Sequence, residues 1–255
     1  MHPLLDATQR PVFGHRGNSA HAPENTVQAF EEAIALGVDG LEFDVRATAD
    51  GQIVVFHDPV VDRTTDGGGA VAGMRLADLH RLDAGARFTP DRGQTQPWAG
   101  RGLRVPLLDE ILGDFPAPLL IEVKTPDASE GTRALIERHG AEDRCIVASF
   151  VDRALDPFRG SRIRVGSSRR DVALLLLPAL LHLPIRPPRF QAMCVPRRFR
   201  GLPLPIASYA HALEKFGTLV HVWTVDEPNE ARRLWADGVH GIISNDPGVI
   251  LRARR

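Results

Sequence analysis

Two carboxylates, Glu42 and Asp44, stand two residues apart in "LEFDV", and a third, Glu122, stands two residues before Lys124 in "LLIEVK". Both segments are short apolar runs that read as strands, on which residues i and i+2 share a face. Carboxylates crowded on one face resist ionisation unless a cation neutralises them. One hard divalent ion, magnesium or calcium, resolves that conflict through oxygen ligands. Solvated acids at Glu42 and Asp44, and a structural ion pair between Glu122 and Lys124, are the alternative readings of the same residues.

Two histidines close strand-like runs in the same way, His15 in "VFGH" and His57 in "IVVFH". Imidazole titrates near neutral pH and can accept or donate a proton, so the two make a candidate acid and base pair. His2, His80, His139, His182 and His211 read as structural. Arg16 carries a fixed fork of donors that matches a pair of phosphate oxygens. A divalent ion, a cationic clamp and two histidines describe phosphate-ester hydrolysis better than acyl transfer or redox chemistry. The chain has no GxSxG elbow, no P-loop and no persuasive GxGxxG fingerprint, so triphosphate and nicotinamide substrates lose support.

These residues need a scaffold that brings strand ends together. At 255 residues, with 43 % hydrophobic and 25 % charged residues, the chain has the size and apolar content of one α/β barrel domain. The strand-like runs, in order, are "VFGHR", "GLEFDVRAT", "IVVFH", "PLLIEVK", "CIVASF", "IRVGSS", "QAMCVP", "LVHVWTVD" and "GIISNDP". Most are continuously apolar, as strands buried on both faces of a parallel sheet are. "IVVFH" follows its predecessor through the turn signal "ADGQ" and reads as a hairpin extension. Eight principal strands remain, and the fold class is α/β, a (β/α)8 TIM barrel. Strand C-terminal ends converge on one mouth in such a barrel, so Glu122 can complete a three-carboxylate site beside Glu42 and Asp44.

Between the strands, Pro23 and Glu24 suit a helix's first turn, and Phe30, Ala33, Ile34 and Gly37 continue it to a glycine stop. "EPNEARRLWADGVHG" repeats that plan, with Ala231, Leu234 and Trp235 on one face and Gly238 at the exit. Residues 58–105 break the rhythm. They are rich in glycine and turn formers around one helical piece, "RLADLHRL", and read as a small insertion after the second strand region within a single domain, 1–255.

The net charge of −1 gives no bulk attraction to nucleic acid. Lys124 and Lys215 are the only lysines among 31 basic residues, which draws attention to Lys124 beside the candidate site. Cys145 and Cys194 read as buried free thiols. The first residues lack the features of a signal peptide, so the expected location is cytoplasmic. The apolar stretch 172–184 is interrupted by Pro178 and His182 and reads as a helix against the barrel, with peripheral lipid contact rather than stable membrane insertion as its alternative. Nothing in the sequence specifies an oligomeric state.

An ordered set of motifs now resembles the glycerophosphodiester phosphodiesterases: "GHRG" (14–17), "PENT" (23–26), "EFDVRATADG" (42–51), "VFHD" (55–58), "RTTDGGG" (63–69), "IEVK" (121–124) and "WTVD" (223–226). The resemblance runs from about residue 12 to the C-terminus and is weakest over 151–205. It implies a barrel with an insertion after the HD motif and metal-dependent hydrolysis of glycerophosphodiesters to an alcohol and sn-glycerol 3-phosphate. It implies Glu42, Asp44 and Glu122 as metal ligands and His15 and His57 as acid and base. Arg16 and Lys124 are placed on the phosphate, with Glu24 and Asn25 shaping the mouth. Trp223, on the face of His221, lines the substrate pocket or packs the barrel. One departure is Ser244-Asn245-Asp246-Pro247 where the family often has Thr-Asp, and Asp246 is a candidate replacement for the missing charge.

Two other functions fit these residues. A lysophospholipase D-type enzyme would use the leucine-rich stretch 172–184 and the apolar residues of "RFTPDRGQTQPWAG" as an acyl-chain surface. A non-catalytic phosphodiester-binding barrel would have lost a histidine or ligand, and all five are present here.

Overall fold

A computed structural model describes residues 3–254, so His2 lies outside the described residues. The strands are β1 (Val12–His15), β2 (Gly40–Ala47), β3 (Ile53–Val55), β4 (Leu119–Val123), β5 (Cys145–Ala148), β6 (Arg164–Val165), β7 (Ala192–Pro196), β8 (Arg198–Phe199), β9 (Leu202–Pro203), β10 (Leu219–Trp223) and β11 (Gly241–Ser244). Eight of them form one parallel path in the order β6, β5, β4, β2, β1, β11, β10, β7. Gly166 bridges to Ala192, while Gln191 N–H donates to Val165 O and Ser167 N–H to Ala192 O, both at 2.8 Å. Those bonds bring β6 against β7 and nearly close the barrel. β3 runs antiparallel to β2 as a hairpin extension, and β8 pairs with β9 in a ribbon beyond β7.

The helices are α1 (Val27–Leu36), α2 (Leu76–Leu79), α3 (Leu108–Asp114), α4 (Ser129–Arg138), α5 (Arg169–Leu180), α6 (Ile206–Glu214), α7 (Pro228–Ala236) and α8 (Pro247–Arg254). The first begins later than the sequence suggests. Thr26, not a residue near Pro23, is its N-cap and accepts from Ala29 N–H. The hydroxyl of Thr26 also donates to Pro23 O at 2.6 Å, which turns "PENT" into a loop ahead of the helix. Glu24 therefore interacts with arginines rather than with the helix end. Gly37 ends α1 in the left-handed region, φ 85°, as a glycine C-cap does. Pro228 opens α7, and Ala231 and Trp235 are buried by it.

Alternation along the strands divides the core. Outward residues such as Leu41, Phe43, Val45, Ile121 and Val147 pack under the helices on one side, and Val195, Val220 and Ile242 on the other. Inward residues Phe13, Leu120, Ile146, Ala192 and Ile243, with Leu4 from the N-terminal turn, fill the barrel itself. Segment 56–107 holds a cluster of its own, Phe56, Val61, Val71, Leu79, Leu103 and Val105, around short helical turns. No helix among the described residues is long and apolar enough to cross a membrane.

Candidate active site

Register puts the site together. His15 lies opposite Glu42 across β1 and β2, and Asp44 lies opposite Glu122 across β2 and β4. Paired residues on neighbouring strands point to the same side, so the period of two brings all four side chains to the barrel interior near the strands' C-terminal ends. One oxygen from each of Glu42, Asp44 and Glu122 lies within 4.8 Å of the others. His15, Arg16, Glu42, His57, Glu122, Lys124 and Trp223 line one pocket above Leu120 and Ile243. Glu24 and Asp44 contact the lining residue Arg16, and Asn25 contacts Asp44.

The supporting contacts are dense. Lys124 Nζ donates to Asp44 Oδ1 at 2.6 Å and to Glu122 Oε1 at 2.8 Å. Arg16 reaches Asp44 with Nε, 3.1 Å, and Glu24 with Nη1, 2.8 Å. Asn25 Nδ2 donates to Asp44 Oδ2 at 3.0 Å, and the buried Oδ1 of the same amide has no hydrogen-bond partner among the described residues. Both loops depend on unusual backbone: Arg16 and Asn25 have φ of 56° and 58°, and Gly17 follows at 88°. A Cβ at Gly17 would come within 2.5 Å of the Ala29 carbonyl carbon. Gly17→Ala is expected to destabilise the fold by more than about 1 kcal/mol, seen as a lower urea midpoint. An unchanged midpoint would contradict this close approach.

Each histidine has its Nδ1 engaged. His15 Nδ1 lies 2.6 Å from Asn245 Oδ1, and His57 Nδ1 lies 2.5 Å from Asp58 Oδ1. The Asn245 amide is held by Asp226, which accepts from its Nδ2 at 3.0 Å and from its backbone N–H at 2.7 Å. Its carbonyl therefore faces His15 and the Ser19 hydroxyl. Asp226 thus fixes the orientation of the amide, and His15 meets a neutral acceptor at position 245. Asp246, the expected replacement, instead faces His21 at 3.2 Å. Because Asn245 and Asp58 accept at Nδ1, the neutral rings carry their proton there and leave Nε2 for chemistry.

Charge and burial act differently on the three acids. Burial, with the neighbouring Asp44 charge, pushes Glu42 up to about 8. Burial raises Glu122 to about 7 against the pull of Lys124. Burial would also raise Asp44, but Lys124, Arg16 and His57 hold it below the usual carboxylate range. Burial lowers both His15 and His57, with the Arg16 cation adding to the effect at His15. A divalent cation suits this donor set, because burial raises two of the clustered acids and an unpaired amide oxygen adjoins the third.

Sequence reasoning missed three supports. Arg63 clamps Glu24 with Nη1 and Nη2, both at 2.7 Å, and donates through Nε to Asp58 at 2.5 Å. Its motif, "RTTDGGG", was legible, but its reach across 39 positions to Glu24 was not. Asp226 ends "WTVD" without any local sign of its tie to Asn245. Cys194 is half-buried rather than buried and lines the pocket with Phe150 and Ser167.

Residues 15–185 and 199–249 match the model of the glycerophosphoryl diester phosphodiesterase family. A glycerophosphodiester phosphodiesterase of Caldanaerobacter subterraneus is 32 % identical over 255 residues, covering 96 % of this chain and 97 % of its own. The solved glycerophosphoryl diester phosphodiesterase domain of a Mycobacterium tuberculosis protein superposes with a TM-score of 0.84 at 22 % identity, covering 97 % of this chain and all of that domain. A phosphodiesterase of Oleispira antarctica, solved with the product sn-glycerol 3-phosphate, gives 0.77 at 24 % identity, covering 97 % of each chain.

Proposed function

Because the chain belongs to the glycerophosphoryl diester phosphodiesterase family and is a hydrolase of glycerophosphodiesters, we propose that it releases sn-glycerol 3-phosphate by metal-assisted catalysis with His15 and His57 as the acid–base pair. The observation that carries this reading is the meeting of three carboxylates and two Nδ1-anchored imidazoles in one pocket. The product held by the Oleispira antarctica neighbour supports the glycerophosphate half of the substrate. The same reading takes residues 1–255 as one cytoplasmic domain with an insertion over 58–105.

Glu42, Asp44 and Glu122 would hold one Mg2+ or Ca2+, which supplies Lewis-acid polarisation of the phosphoryl oxygens when bound. Arg16 and Lys124 orient the phosphate and stabilise charge as it builds on its oxygens. Trp223 lines the path beside them. The two histidines divide the proton work according to their partners. Asn245 is a neutral acceptor and stabilises an imidazolium less than the Asp58 carboxylate does, so His15 serves as base through Nε2 and His57 as the acid for the leaving alkoxide. Release of sn-glycerol 3-phosphate from glycerophosphocholine, with magnesium or calcium and with EDTA, tests the reading. Metal-dependent release supports it, and release indifferent to EDTA refutes its metal.

Proton linkage gives a second test. Glu42 and Glu122 titrate in the folded chain at about 8 and about 7, above their ordinary 4.5. The unfolded chain binds fewer protons between those limits, so the metal-free protein loses stability as pH rises from about 4.5 to about 8. An ion must displace the same protons, and binding strengthens over the same rise. The metal-induced increase in Tm is expected to be larger at about pH 8.5 than at about pH 6. An increase that does not change with pH would show that these acids bind no metal.

A further inference from the structure

Packing on the barrel accounts for only part of the leucine-rich stretch 172–184. Val172, Leu175, Leu176 and Ala179 of α5 pack into the core beneath it. Leu174, Leu177 and Leu181 recur at i, i+3 and i+7 on the opposite side, where they are 64 %, 64 % and 62 % exposed. Beside α5 stands the β8–β9 ribbon, whose Arg198 and Phe199 border the same cavity as Val172 and Leu176. Its two strands form a sheet of their own, turning through Arg200 and Gly201, both in the left-handed region at φ 50° and 82°. That tight turn presents Leu202, 72 % exposed, and Phe199, also exposed.

The charge of this side is as uneven as its polarity. Residues 162–202 contain nine arginines and one acid, Asp171, in a chain whose net charge is −1. Arg170, one turn before Leu174, meets Asp152 only at 3.9 Å. Arg198 and Arg200 on the ribbon and Arg186 in the loop after α5 are exposed and have no carboxylate partner among the described residues. We propose that this face docks the protein on anionic phospholipid bilayers, the leucines and Phe199 entering the boundary between headgroups and acyl chains and the arginines meeting the negative headgroups. An apolar stripe beside a basic set is what an interfacial helix needs, and α5, 12 residues long, lies along a bilayer rather than across it. A second copy of this chain is disfavoured, because a two-fold contact sets each arginine-rich face against its own kind. A nucleic acid would engage the arginines and leave the leucine stripe in water. The docking is independent of which diester the barrel hydrolyses.

Flotation of the full chain with phosphatidylcholine vesicles, with and without phosphatidylserine and with EDTA throughout, tests this. Binding is expected only where phosphatidylserine is present, and it is expected to weaken from about 0.1 M to about 0.5 M salt as the Debye length shortens. Arg198→Gln and Arg200→Gln should each lower the partition coefficient about fivefold, the loss for one cation near an anionic surface. Leu177→Ser, which alters no charge, should lower it about tenfold. All three side chains are exposed, so each variant is expected to keep the parent's Tm. Equal partitioning into vesicles with and without phosphatidylserine, or none into either, overturns the inference. Loss with the arginine variants alone, with heparin held as tightly as the vesicles, makes the face a site for soluble polyanions and overturns it too. A dimer in solution that Leu177→Ser dissociates assigns the face to a second copy, with the same consequence.

Discussion

Replacing His57 by alanine is expected to lower kcat for glycerophosphocholine by about 100- to 10,000-fold, the usual contribution of a positioned proton donor. The ring is held from one side by Asp58, whose other oxygen is held by Arg63, and Arg46 donates to the His57 backbone carbonyl at 2.9 Å. An imidazolium formed there is stabilised by a carboxylate, which suits a group that must hold a proton until the alkoxide needs it. His15 faces an amide, so its neutral form is favoured and its loss affects the attack step. A leaving group acidic enough to depart unprotonated separates these roles. With a nitrophenyl diester, His57→Ala is expected to recover most of its lost activity while His15→Ala stays low. Recovery by His15→Ala and not by His57→Ala would reverse the assignment, and recovery by neither would remove general acid catalysis from the mechanism.

The parts legible in the sequence are those encoded within one strand or one turn. Glu42 and Asp44 declare a shared face by their spacing, and "GHRG" declares a strand exit by its glycines. What local pattern cannot carry is register. That His15 meets Glu42 and Asp44 meets Glu122 depends on long-range parallel pairing, for which the apolar runs allow several offsets. Loop chemistry hid more. The Thr26 hydroxyl bond to Pro23 O moves the helix start beyond Pro23 and Glu24, which frees Glu24 for Arg16 and Arg63. The Asn245 amide is oriented by Asp226, on the neighbouring strand's exit, while the adjacent Asp246 faces His21.

Asp44→Asn and Glu42→Gln are each expected to cut metal-supported turnover by about 1,000-fold or more, since losing several kcal/mol of charge stabilisation costs about tenfold per 1.4 kcal/mol. They should nevertheless part company in the metal-free protein. Asp44 is the one acid of the cluster held ionised, and Lys124, Arg16 and Asn25 all converge on it. Removing its charge leaves two largely buried cations short of a counter-ion, at a cost of about 3 kcal/mol. Glu42 is protonated near neutral pH in that state, and glutamine imitates the neutral acid. Its metal-free Tm should therefore match the parent's below about pH 4.5 and exceed it increasingly from there to about pH 8, where the parent's unfolded chain gains from ionising Glu42 and its folded chain does not. Added magnesium or calcium should raise the parent's Tm and leave Glu42→Gln almost unmoved. If Asp44→Asn and Glu42→Gln melt alike without metal, the division of charge within the cluster is wrong. If both retain metal-dependent turnover, the three carboxylates are a structural network and the ion sits elsewhere.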